Sequence, residues 1–397
     1  MSFLQSWRWY GPRDVIPLSH IRQAGATGVV TALHDIPLGE VWPLEAIRER
    51  KALIEKAGLR WEVVESVNVH KAIKLGTGQR DEFIEKYRKT LMNLSQCGLK
   101  VICYNFMPLL DWVRTDLSYK TSTGALALRF DHVALAAFDL FLLKRPGTEG
   151  YYSEDLWGAA HQFWETQSTD QRLQLQQTIL AGVPGTLETI PLDNFKDQLA
   201  DYCALDQVQY RHNLQYFLEQ VVPAAADHGV KLAIHPDDPP YSLFGMPRIM
   251  HSPDDIEFLL NCDQGEANGI TFCCGSLGPQ ASTDLLDLID RFGRRIHFIH
   301  LRNIIRQDHG SFYESDHLDG DLDMYAIVKA LMVEMEGRHA SSRDDWRIPM
   351  RPDHGHQMLD DLQKDVPFPG YSAIGRLKGL GELRGLELGI ANGLTQT

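Results

Sequence analysis

The residues with the most chemical reach in this 397-residue chain stand where short apolar runs stop. One run ends at His235 in A-I-H-P-D-D-P-P, the next at Cys273 in T-F-C-C-G, the next at His300 in F-I-H-L-R-N, and the last at Asp353-His354 in M-R-P-D-H-G-H. Two imidazoles, a thiol and a carboxylate form a complete ligand set for one divalent transition ion. Each residue alone has a blander explanation: a hydrogen-bonded histidine, a cysteine acting as a small hydrophobe, an aspartate opening the D-H-G turn. Register gives the set its weight, because four bland explanations would have to coincide at four successive strand ends. Side-chain alternation supports three of them, since Ala233 shares a face with His235, Thr271 with Cys273, and Ile296 and Phe298 with His300. The same parity turns Cys274 and His297 the other way. Donors this soft suit zinc on affinity grounds, and the residues alone do not fix the ion.

Further polar groups stand at the same level. His354 follows a ligand candidate directly, so its imidazole belongs near the ion, where it is suited to proton transfer around neutral pH. Tyr371, in the turn Pro369-Gly370-Tyr371-Ser372, is either a packing aromatic or a second proton-transfer group. Arg302 offers a bidentate fork for a substrate carboxylate, and Asn105, His70 and His317 are candidates for binding the hydroxyls of a polyol acid.

Positioning these groups requires eight strands. The apolar runs are Trp7 to Gly11, Gly28 to Leu33, Trp61 to Val69, Val101 to Phe106, Lys231 to Ile234, Ile270 to Cys273, Ile296 to Leu301 and Ile348 to Met350. Helical stripes separate them, such as Ala46, Ile47, Leu53, Ile54 and Ala57 before Gly58, or Leu214 to Ala225 before Gly229, where Pro223 predicts a kink. Ser252-Pro253-Asp254-Asp255 has the form of a helix start. Eight strand-helix units predict one closed (β/α)₈ barrel spanning 1–397, with its active site at the C-terminal ends of the strands. An open sheet is the alternative if either short terminal strand is misread. The stretch from about Thr115 to Asp206, after the fourth strand, is too long for a structureless loop and predicts a helical insertion, either a cap or a subunit contact. The Asp-, His- and Gly-rich stretch Gln307 to Asp323 reads as a mobile cover or a solvated turn.

Composition excludes several classes of function. An excess of 53 acidic over 39 basic residues gives a net charge of −14, which repels nucleic-acid phosphates and anionic lipid. No basic leader followed by an apolar run and no run of about 18 apolar residues is present, so the expected compartment is the cytoplasm. The six cysteines have no regular spacing and read as thiols.

These stretches, together with R-W-Y-G at Arg8 to Gly11, T-A-L-H-D-I-P from Thr31, H-L-D-G-D-L-D-M from His317, R-P-D-H-G-H-Q-M from Arg351 and P-G-Y-S after it, resemble the mannonate dehydratases over nearly the whole chain. Those are hexuronate-pathway enzymes of the xylose-isomerase-like barrel superfamily. The resemblance implies that His235, Cys273, His300 and Asp353 bind the catalytic ion, manganese in the first instance and iron in the second. It implies that His354 and Tyr371 occupy the acid and base positions, that the substrate is D-mannonate, and that the product is 2-dehydro-3-deoxy-D-gluconate. At Cys274 the chain departs from the family's usual threonine. The expected assembly is a homo-oligomer, a dimer. A metal-dependent sugar isomerase or epimerase on the same barrel is the alternative activity, because fold and metal do not determine the reaction. A non-catalytic sugar sensor is a third reading.

Overall fold

The structure, a computed structural model, describes residues 2–181 and 191–394. In chain order its strands are β1 (Leu4–Arg8), β2 (Gly28–Thr31), β3 (Arg60–Glu65), β4 (Val101–Tyr104), β5 (Asp116–Lys120), β6 (Leu126–Phe130), β7 (Lys231–Ile234), β8 (Asn268–Cys273), β9 (Ile296–His300), β10 (Ile304–Arg306), β11 (Phe312–Glu314) and β12 (Pro349–Arg351). Eight of them close a parallel barrel in the order β1-β12-β9-β8-β7-β4-β3-β2. The closing seam is β12 on β1, with Leu4 opposite Pro349. The predicted barrel is therefore present, and the open sheet is not.

The first strand lies earlier than its expected Trp7 to Gly11. After Arg8 the chain turns instead of extending: the Tyr10 N–H donates to the Asp14 carboxylate at 2.8 Å, and Gly11 adopts φ +88°. Inside the barrel Val30, Val63, Cys103, Ala233 and Phe298 pack together as one fully enclosed group. The opposite strand faces, carrying residues such as Val29, Val64, Ile102 and Phe272, join the larger core under the helices. Alternation of period two produces this division.

The helices follow the apolar stripes. Leu44–Lys56 is followed by Gly58 at φ +76°, a left-handed position that glycine occupies without steric cost. Ser252 caps Pro253–Cys262, and Asp255 completes a reciprocal capping box. Gln207–Asp227 continues through Pro223 to its end.

Two segments differ from expectation. The insertion opens with an antiparallel hairpin, β5 and β6, before its helices Glu154–Thr166, Thr169–Ile179 and Leu192–Cys203. The stretch expected as a mobile cover carries β11, which pairs with β10 on one side and β6 on the other. The resulting four-stranded sheet is held by Phe130 and Phe312, register partners that are both fully buried with rings 5.6 Å apart. Three-residue strands carry too little alternation to be legible as strands beforehand. Part of the expected insertion, 182–190, lies outside the described residues.

Candidate active site

Cys273 and His300 end β8 and β9 as register partners, so one ladder presents thiol and imidazole side by side. His235 follows β7, its N–H bound to the Tyr104 carbonyl at 2.8 Å, which extends the ladder by one residue. The ligand atoms of His235, Cys273 and His300 all lie within 4.8 Å of one another. Asp353 stands two residues beyond β12 at φ +68°, a left-handed turn that brings its carboxylate back over the barrel. One of its oxygens lies 3.7 Å from Cys273 Sγ and the other 4.0 Å from His300 Nδ1. The chain thus gathers two nitrogens and a sulfur around one point, with the Asp353 carboxylate beside Cys273 and His300.

This donor set fits a divalent cation. His235 Nδ1 lies 2.7 Å from the Pro236 carbonyl, which fixes the proton there and leaves Nε2 to face His300 Nδ1 at 3.3 Å. His300 Nε2 is buried without a hydrogen-bond partner. Burial lowers the basicity of both imidazoles, His300 far more, so each is neutral as ligation requires. Burial pushes the Cys273 thiol up to about 12, with Arg302 pulling the other way; a cation at this point would release its proton. Cys274 packs into the hydrophobic core.

Alternating charges surround the cage. Burial disfavours the Asp353 carboxylate, but Arg351, His354 and Arg302 reverse this and hold it well below its ordinary range. Arg351 Nη1 pairs with one Asp353 oxygen, and Arg302 Nη1 lies 3.0 Å from the other. Glu65 receives Arg351 at 2.9 Å and Arg8 at 3.1 Å. Asp238 receives Arg114 and Arg302, each at 2.6 Å. These pairs are largely buried at the cleft wall, which strengthens their attraction.

Beside the cage, His354 Nε2 lies 3.2 Å from Tyr371 Oη, with the two rings edge to face. His354 Nδ1 lies 2.8 and 2.9 Å from the two oxygens of Glu314. Burial destabilises the Glu314 carboxylate, yet His354, Arg302 and Arg114 more than compensate and bring it down to about 2. Burial raises the Tyr371 phenol, which is therefore protonated at neutral pH, with Arg351 opposing. A cleft lined by His235, Asp353, His354 and Tyr371 joins the cage to this pair.

The remaining candidates separate. Asn105 lines the cleft and donates to Asp111 at 3.2 Å. Arg302 also lines it, with its guanidinium paired to Asp238 and Asp353. His70 lines a neighbouring cavity instead, stacked on Phe83 at 3.5 Å and capping the turn Lys71–Lys74. His317 does not reach the cleft: its Nε2 bonds the Pro352 carbonyl at 2.7 Å and its ring packs on Gly379 so tightly that a Cβ there would lie 2.2 Å away. Close packing on the C-terminal helix, Ala373–Leu394, overrides its place in a polar segment. The sequence reading missed Glu314, Arg114 and Trp112 altogether; Arg8, Asp238 and Arg351 stood in quoted motifs without a role.

Comparison with known proteins identifies the family. The family model described as D-mannonate dehydratase (UxuA) matches residues 3–397. A mannonate dehydratase of Marinomonas sp. (strain MWYL1) is 51% identical over 390 residues, covering 98% of this chain and 99% of its own length. One from Chromohalobacter salexigens is 51% identical over 386 residues, covering 97% and 98%. The crystal structure of mannonate dehydratase from Streptococcus suis serotype 2 superposes with a TM-score of 0.77 at 33% identity, covering 99% of this chain and 95% of that one. With the match spanning barrel, insertion and site together, the chain belongs to the D-mannonate dehydratase family of hydro-lyases.

Proposed function

We propose that the cleft removes water from D-mannonate to give 2-dehydro-3-deoxy-D-gluconate, with a divalent ion held by His235, Cys273, His300 and Asp353. Manganese is the ion proposed first and iron second. The observation that carries the reading is the adjacency of the His235–Cys273–His300 cluster, with Asp353 beside it, to the His354–Tyr371 pair at one barrel mouth. Family membership supplies the substrate.

The chemistry asks for two things. Loss of the C2 proton next to a carboxylate concentrates negative charge, which a divalent ion would neutralise as a Lewis acid. The proton at C2 and the departing C3 hydroxyl each need a transfer partner, and His354 Nε2 and Tyr371 Oη are the two groups that face each other in the cleft. Arg351 and Arg302 fix the Asp353 carboxylate, and Trp112 and Tyr371 line the cleft. Asn105, on the cleft wall, is placed to bind a substrate hydroxyl. Of the two roles for the 115–206 insertion we propose a cap for its hairpin, on the ground that Leu117, Leu126 and Leu128 border a second opening onto His354.

The cytoplasm is the compartment proposed. No helix among the described residues is long and apolar enough to cross a membrane, and all six cysteines are unpaired. Dimerisation is retained as the proposed assembly.

Incubation of the protein with D-mannonate and Mn²⁺ tests the reading. Appearance of a 2-keto-3-deoxy acid is the expected result; aldose–ketose interconversion without loss of water would replace it with the isomerase alternative.

A further inference from the structure

We propose that Glu314 is a positioning residue for the dehydration, holding His354 in the tautomer that turns an unprotonated Nε2 to the cleft; this rests on the reading of His354 as a proton-transfer group. Both Glu314 oxygens contact His354 Nδ1, at 2.8 and 2.9 Å. A carboxylate can only accept, so this contact requires a proton on Nδ1 and, of the two neutral tautomers, selects the one whose Nε2 is unprotonated. Arg302 Nη1 also lies 3.3 Å from Nδ1, and a guanidinium, which can only donate, would require the opposite tautomer. Two contacts below 3 Å to an ionised acceptor outweigh one at 3.3 Å, because hydrogen bonds weaken with distance and strengthen with charge. With the proton on Nδ1, the Nε2 lone pair accepts from the Tyr371 hydroxyl at 3.2 Å and faces the cleft.

Glu314 is held to this task from three directions. Arg114 donates to its Oε1 through Nη2 at 2.7 Å and Nε at 3.2 Å. His356 Nε2 contacts its backbone carbonyl at 2.8 Å. β11 is paired on both edges, so the backbone that carries Glu314 cannot slide. Glu314 is 3% exposed and does not line the cleft, so it acts through His354 and not on substrate. The sheet built by the insertion thereby becomes part of the proton-transfer apparatus.

The test uses full-length, Mn²⁺-loaded protein with Glu314→Ala and Glu314→Gln. The expected kcat falls by about 10²-fold or more for Glu314→Ala and by about tenfold for Glu314→Gln, whose carbonyl still accepts from Nδ1–H. KM and bound metal stay within about twofold of the parent, which loss of a purely structural ion pair would not leave intact. In nitrogen-15-histidine-labelled protein carrying diamagnetic zinc, the His354 signals, identified by their absence from His354→Asn, show the Nδ1–H tautomer, and Glu314→Ala moves them towards Nε2–H. If Glu314→Ala does not fold, the Gln variant and the parent spectrum decide alone. An Nε2–H tautomer in the parent, or unchanged kcat in the Glu314 variants, overturns the proposal. Full turnover by His354→Asn overturns instead the reading of His354 beneath it.

Discussion

Cys273 and His300 face each other across the β8–β9 ladder, so the sulfur and one nitrogen of the cage are set by a single strand register. A one-residue slip would replace Cys273 by its neighbour on the opposite face. Cys273→Ala is therefore expected to lose bound metal, weakening affinity by more than about tenfold, as read by metal content after dialysis. Cys274→Ala is expected to keep the metal and lose about 1 kcal/mol of stability, the usual scale for one truncated core side chain. Metal loss confined to Cys274→Ala would reverse the assignment.

His354→Asn and Tyr371→Phe remove the two groups that face each other at 3.2 Å while preserving their packing. Each is expected to lower kcat by about 10²–10⁴-fold with metal content unchanged. Steady-state kinetics beside elemental analysis checks this, and metal loss in His354→Asn would make that residue a ligand.

Asn105 and His70 make a controlled pair, one on the cleft wall and one in the adjoining cavity. Asn105→Ala is expected to raise KM for D-mannonate severalfold, by roughly the 1 kcal/mol that one hydrogen bond contributes. His70→Ala is expected to lower Tm through loss of its stack on Phe83 and of its cap, with KM unchanged. A KM effect in His70→Ala alone would move the substrate site into the neighbouring cavity.

Stability across neutral pH depends on a carboxyl outside the cleft. Glu387, on the C-terminal helix, accepts from the Phe3 N–H at 3.2 Å and from Gln5 at 3.1 Å. Burial raises it to about 7, only partly offset by those donors. A folded-state value above the unfolded one gives stability that is fully present below about 4.5 and is lost as pH rises through about 7. Ionising it in the folded chain costs on the order of 3 kcal/mol. Urea unfolding should show the parent losing stability between pH 5 and 8 relative to Glu387→Gln; parallel curves for the two would refute the linkage.

Much of the fold and the cage was readable in the sequence because both follow from local periodicity. Eight apolar runs with helical stripes between them dictate a barrel, and parity along β7, β8 and β9 decides which side chain at each strand end turns inward. His235, Cys273 and His300 needed nothing more. Asp353 came from its place past the last strand, although only its left-handed backbone brings the carboxylate over the cage.

Tertiary structure alone decided how those residues are held. Glu314 meets His354 across 40 residues and Arg114 across 200, separations over which no periodicity carries information. Arg302 was identifiable as a cation at a strand end, but its commitment to Asp238 and Asp353 depends on two other strand-end loops arriving at the same point. His317 stood in a segment as polar as any binding loop, and packing against Gly379 withdrew it from the cleft. Side-chain direction along a strand is a property of consecutive residues; the partner waiting at its end is a property of the closed chain.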